Sequence, residues 1–197
     1  SLYILAPLVI PILKSFQTSH PKVIVRYLTG ERLFRLDYGE AHVAVRAGPK
    51  PNLPDHIVQP FINTKVGLYA SADYISRNGI PKTSEAFASH YFIGLDNLNF
   101  GPPFNLNIWM RENIPEKNIV LRSTDVTVIE HAILSGIGIG FFPAAKAKQH
   151  SDLIEISPHQ EEWDVPFWLI THTDLHRTAK VRAFLTFLQE EANEDAS

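Results

Sequence analysis

Apolar residues at Leu5, Leu8, Val9, Ile12, Leu13 and Phe16 recur at helical spacing and predict an amphipathic helix over 5–16. Pro7 suits its first turn, whereas Pro11 removes one backbone bond and is expected to kink it. His20-Pro21 ends the helix. Residues 23–27, Val-Ile-Val-Arg-Tyr, then read as a strand rich in β-branched side chains. A short helix over 31–37 closed by Gly39 follows, then a strand over 41–46 and a proline-rich loop over 48–54. This alternation of helix and strand predicts a mostly parallel sheet with right-handed crossovers.

The pattern resumes after residue 65. A strand over 66–70 leads to Ser71, placed to cap a helix over 72–77, and another short helix is expected over 83–90. Strands are predicted over 91–95 and 119–122, separated by an Asn/Pro/Gly-rich excursion over 96–107. Asp125 is placed to cap a helix over 126–135, which Gly136 ends before a strand over 137–142. A short helix near 144–148, a strand near 153–156, a last strand over 165–171 and a closing helix over 179–190 complete the chain. Two α/β units followed by a final strand and helix imply that the chain crosses twice between lobes. The expected lobes are 1–65 with 166–197, and 66–165. Two-lobed α/β proteins of this kind bind small ligands between their halves and close by hinge motion.

Composition narrows the function. Of 197 residues, 45% are hydrophobic and 20% charged, ordinary usage for a globular chain and not for a disordered one. Eighteen Lys and Arg stand against 21 Asp and Glu, a net charge of −3, so the basic footprint of a nucleic-acid reader is missing. Cysteine is absent, which excludes disulfides, thiol catalysis and Cys-ligated zinc and fits a reducing, cytoplasmic setting. The most apolar stretch, 2–13, is too short to span a bilayer and carries two prolines. No signal peptide stands at the start, where Ser1 looks like a cut point, so the chain is expected to be a piece of something longer.

Gly136-Ile137-Gly138-Ile139-Gly140 invites a dinucleotide-binding reading, but that chemistry needs strand, glycine turn and helix in that order, and here the helix comes first. His172 and His176 flank Asp174 at metal-ligand spacing without a third or fourth ligand in sight, so a surface loop is the better reading and no metal or other cofactor is expected. No nucleophile elbow, zinc-protease helix or phosphate loop occurs. What remains are polar residues where strands end and helices begin: Thr29, Arg46, Ser71, Asp96, and Thr124 with Asp125. The crevice of an open α/β sheet lies there, and helix N-termini in it favour anions. Ser71 and Asp125 are also explained by capping. Arg46 is not: it interrupts an apolar strand, which is costly unless its guanidinium meets water, a carboxylate or a ligand.

Several segments in register resemble the effector-binding domain of LysR-type transcriptional regulators. They are Leu5-Ala6-Pro7-Leu8 through Phe16 with His20-Pro21-Lys22-Val23, and Gly39 followed by Ala41 through Pro49. Leu68-Tyr69-Ala70-Ser71-Ala72-Asp73-Tyr74, Ser135 through Pro143, and Lys180-Val181-Arg182-Ala183-Phe184 complete the set. The resemblance implies an α/β fold of two Rossmann-like lobes with two crossovers, like the type 2 periplasmic binding proteins. It further implies a small-molecule effector in the cleft, no catalysis and no membrane. A homodimer of this domain and a tetramer of the full-length protein are implied too, with DNA bound only through an N-terminal winged helix-turn-helix that this chain lacks. The dimer would join the outer face of the first helix to a second-lobe helix of the partner. Tyr3, Thr29 with Gly30, and Thr124, Asp125 and Thr127 match positions that contact effector in the family; Arg46 and Asp96 join them from the strand-end argument. Two departures stand out. His42 occupies the place of a usual Asp, and the family's first strand, which precedes the opening helix, is missing and would leave a sheet edge bare. A free-standing solute-binding protein of a transporter is the alternative, and an enzyme on the same scaffold a third reading.

Overall fold

The computed structural model describes residues 5–30, 34–96 and 104–194, with side chains through 192. In chain order the first elements are α1 (Ala6–Ser19), β1 (Ala44–Ala47), β2 (His56–Thr64), β3 (Val66–Ser71), α2 (Ala72–Asn78), β4 (Phe92–Leu95) and α3 (Asn105–Asn113). There follow β5 (Ile119–Ser123), α4 (Val126–Leu134), β6 (Ile139–Pro143), α5 (Ala144–Ala147), β7 (Leu153–Ser157), β8 (Val165–His172), α6 (Thr173–His176) and α7 (Ala179–Glu194). They form two units, Ser1–Ile62 with Pro166–Ser197, and Asn63–Val165.

In the first unit, α1 has a proline in its first turn and runs on through Pro11, burying Val9, Ile12 and Phe16. Phe16 packs edge-on against Phe184 and Phe187 of α7, at ring-centroid distances of 5.0 and 5.6 Å. Ile12 joins Leu169, Val181, Leu185 and Leu188 in the core beneath these helices. The sheet under them is three-stranded, in the order β1-β8-β2. Its β1 and β8 run antiparallel, with Ala44 opposite Ile170 and Ala47 opposite Phe167, which corrects the mostly parallel sheet expected of this region.

The expected strand over 23–27 is likewise corrected: among the described residues it forms no ladder, and Ile24 is 87% exposed. A β-branched run prefers strand geometry, but that preference alone does not place it in a sheet. Residues 31–33 of the expected short helix lie outside the described residues; what is described is a turn over 36–39 closed by Gly39 at φ 71°. Strand β2 was not expected, and it carries Pro60, which lacks the N–H a ladder uses. At the sheet edge, however, a residue without an N–H is tolerated.

The second unit holds a five-stranded mixed sheet in the order β5-β4-β6-β3-β7. Parallel pairs join β4 to β5 and β6, and antiparallel pairs join β3 to β6 and β7. Every residue of the interior strand β3 is buried, as expected of a strand covered on both faces. Leu68, Ala70, Phe92 and Ile139 point to one face, where they meet Tyr74, Leu106 and Met110 of α3, and Trp163. Tyr69, Ile93 and Phe142 point to the other and meet Ile129, Ala132 and Ile133 of α4 and Ala147 of α5. Trp163, Trp109 and Phe141 pack edge-to-face with centroids 5.1–5.7 Å apart.

Helix α3 was not expected. It begins inside what reads as an Asn/Pro/Gly excursion, has no side-chain cap, and is placed by burying Leu106 and Met110 rather than by local preference. Residues 97–103 of that excursion lie outside the described residues. The two ends of this unit are tied together: Asn63 Nδ2 donates to Asp164 Oδ2 at 2.8 Å, and the other carboxylate oxygen meets His159 Nε2 at 2.5 Å. Among the described residues, no helix is long and apolar enough to cross a membrane.

Candidate functional site

In the second unit, β4 and β5 end side by side. Leu95 pairs with Ser123, and the Asp96 N–H donates to the Ser123 carbonyl at 2.8 Å. The chain then turns directly into α4. Ser123 Oγ accepts from the Asp125 N–H at 3.0 Å, and Asp125 Oδ1 accepts from the Thr127 N–H at 2.8 Å, which makes Asp125 the N-cap. Asp96, Thr124, Asp125 and Thr127 are thereby gathered at the C-terminal ends of two parallel strands, with Thr124 exposed and the others half-buried.

This arrangement has a definite chemical preference. The positive end of α4 already holds the Asp125 carboxylate, so an arriving anion meets a like charge there. The hydroxyls of Thr124 and Thr127 both donate and accept, and Asp96 and Asp125 accept. This group suits a ligand's hydroxyl, amide or ammonium donors better than its anionic end.

The first unit has a candidate of its own. Arg46 lies in β1 opposite Trp168 of β8. Directly opposed residues of an antiparallel ladder share a face, and the alternate residues Val45 and Leu169 belong to the core under α1 and α7. Arg46 is half-buried, and its guanidinium makes no hydrogen bond or ion pair among the described residues; burial alone pulls its pKa down. Thr29 and Gly30 are exposed, and a side chain at Gly30 would lie 3.3 Å from the Phe34 ring. Tyr3 lies outside the described residues.

Other singled-out residues have structural duties. Ser71 is buried and its Oγ accepts from the Tyr74 N–H, capping α2. In the glycine-rich segment helix precedes strand: Gly136 closes α4 at φ 75°, and a Cβ at Gly140 would stand 2.7 Å from Ile133. The span after β8 is not a loop but α6, whose N-cap is His172, through Nδ1 to the Asp174 N–H. His176 Nδ1 lies 3.1 Å from Thr171 Oγ1. Among the described residues, no group of three or more His, Cys, Asp or Glu could hold a metal ion.

The sequence reading missed Trp168 and Lys50. Trp168 stands in a continuous apolar run, so no sequence pattern marks it; burial alone separates it, with Phe167 and Leu169 buried and Trp168 half-buried.

The family model described as LysR substrate binding domain matches residues 3–193. The HTH-type transcriptional regulator CrgA of Neisseria meningitidis serogroup C (strain 8013) is 25% identical over 200 residues, covering 96% of this chain. The chain spans 63% of that relative's length. Among solved structures, the CrgA regulatory domain from Neisseria meningitidis superposes with a TM-score of 0.79 at 21% identity, covering 96% of this chain and 94% of that one. The AmpR effector binding domain from Citrobacter freundii gives 0.73 at 13% identity, with 94% and 92% covered.

Proposed function

The chain belongs to the LysR substrate binding domain family, and from that premise we propose that it is the ligand-sensing part of a DNA-binding transcriptional regulator. Its two α/β units have the type 2 periplasmic-binding-protein-like fold of LysR regulatory domains. The ligand is a small organic molecule; on the first unit Arg46 is the candidate contact for an anionic group, and on the second Asp96, Thr124, Asp125 and Thr127 are the candidate contacts for hydrogen-bond donors. Thr29, Gly30 and Tyr3 remain further candidate contacts. Binding shifts a conformational equilibrium of the regulator, and no bond of the ligand is made or broken.

One observation carries the anionic part of this reading: Arg46 is a half-buried cation for which the described residues supply no partner. A guanidinium in that state is stabilised by a carboxylate or phosphate that enters from outside. Titration calorimetry of the chain with small carboxylates and their matching amides tests it. Carboxylates should bind and the amides should not; equal heats from both would refute the anionic effector.

The oligomer follows from α1. Its outward residues Ile10, Leu13, Lys14, Gln17 and Thr18 form, with Val25 and Tyr27, a shallow depression of about 550 Å³, and Ile10 is 52% exposed. A second copy of the chain covers this apolar face, giving a dimer of the domain within a tetramer of the full-length regulator. DNA contact lies outside this chain, and the regulator works in the cytoplasm.

A further inference from the structure

We infer that Trp168, flanked by Arg46 and Lys50, forms a subsite for a planar aromatic carboxylate: the ligand ring lies on the indole and its carboxylate meets the guanidinium. This deepens the anionic-effector reading and rests on it.

Three observations converge. Arg46 stands directly across the ladder from Trp168, on the face opposite the α1 and α7 core. The indole is held in one orientation, because its Nε1–H donates to the Gly48 carbonyl at 2.7 Å while the Gly48 N–H donates to the Pro166 carbonyl at 2.8 Å. Lys50, two residues further along the same loop, sets its Nζ over one face of the indole, 5.8 Å from the ring centre.

A fixed, half-buried tryptophan with two cations around it is a particular chemical environment. An aliphatic anion would use the charges and leave unused the ring face away from Lys50. A neutral aromatic would use the ring and leave the guanidinium unpaired. An aryl carboxylate satisfies both, since its ring offers an offset-stacked or edge contact and its coplanar carboxylate offers two acceptors to the fork of Arg46. Lys50 contributes a second, more distant positive charge that is screened by solvent. The indole N–H is already committed to Gly48, so recognition runs through the ring and not through a hydrogen bond from Trp168.

The probes are benzoate, cyclohexanecarboxylate and benzamide, titrated into the 197-residue chain by calorimetry and by tryptophan fluorescence. Benzoate should bind tightest and quench part of the emission saturably. The remaining emission comes from Trp109 and Trp163, which pack in the second unit. Trp168→Phe keeps a ring and should lose the quench while holding affinity within a few fold. Trp168→Leu should weaken benzoate about tenfold, and Arg46→Gln by about tenfold or more, with circular dichroism showing each variant folded.

Failures separate cleanly. If cyclohexanecarboxylate binds as tightly as benzoate, the aromatic subsite is overturned and the anionic reading stands. If benzamide matches benzoate, the anionic reading itself falls and the subsite with it. Equal weakening in Trp168→Phe and Trp168→Leu assigns the loss to the Gly48 anchor and overturns stacking. A folded chain that does not bind benzoate overturns the inference outright.

Discussion

Lys180 Nζ donates a hydrogen bond of 3.2 Å to His42 Nε2, joining the start of α7 to the residues just before β1. His42 is the position at which the resemblance to LysR regulators leads one to expect an aspartate. A neutral imidazole keeps the bond to the ammonium and gives up the charge pairing a carboxylate would provide. His42→Asp should therefore raise stability slightly, by about 0.2–1 kcal/mol for an exposed pair. Melting temperatures of both proteins at low and high salt check this, since the gain must shrink as salt rises.

A second bond of the same kind is buried. Tyr74 Oη accepts from the Tyr91 N–H at 2.9 Å and lies 3.2 Å from His90 Nδ1. Burial lowers the His90 pKa from its ordinary value of 6.5. Below about pH 6.5 the unfolded chain therefore takes up this proton before the folded one does, and stability falls as the pH falls. Urea midpoints between about pH 7 and about pH 5 should drop in the wild type and drop less in His90→Gln.

Gly136 predicts a sharper loss. It sits at φ 75°, and a Cβ there would come within 2.7 Å of Asp73 Oδ2. Its carbonyl accepts from Arg77 Nη2 at 2.8 Å, so the end of α4 is also tied to α2. Gly136→Ala should cost at least about 1–2 kcal/mol from the left-handed backbone alone. Chemical denaturation reads it directly, and an unchanged midpoint would contradict the geometry.

Capping and ligand contact can be separated at Asp125. Asp125→Ala removes the bond to the Thr127 N–H and should destabilise by about 1 kcal/mol. Asp125→Asn retains the cap and removes the charge. A variant that folds as well as wild type yet binds a donor-bearing ligand more weakly marks the carboxylate as a contact; unchanged binding leaves it a cap alone.

The proposed dimer is tested on α1. Ile10 is 52% exposed in the single chain, so Ile10→Glu should leave folding intact and shift sedimentation toward monomer. A dimer that survives the substitution places the contact elsewhere.

The sequence made the second unit legible because there local preference and tertiary environment agree. Ser71 and Asp125 are good capping residues and do cap, and the expected strand over 66–70 is a buried run that carries no charged residue. It misled where they part. Residues 23–27 have strand chemistry but form no ladder among the described residues, β2 carries a proline that an edge allows, and α3 lacks a cap and relies on its contacts. Arg46 was readable as an oddity in an apolar strand. Trp168 was not, because only the β1–β8 register puts the two side by side.

That register has a consequence for biosynthesis. The middle strand of the first unit's sheet is β8, which begins at Val165, whereas its neighbours β1 and β2 are complete by Thr64. A ribosome therefore delivers everything needed for the second unit before it delivers the strand that joins the first. Until then the nascent chain holds α1 and two unsatisfied strands in waiting, a natural target for chaperones. The half whose synthesis starts earliest is the last to close.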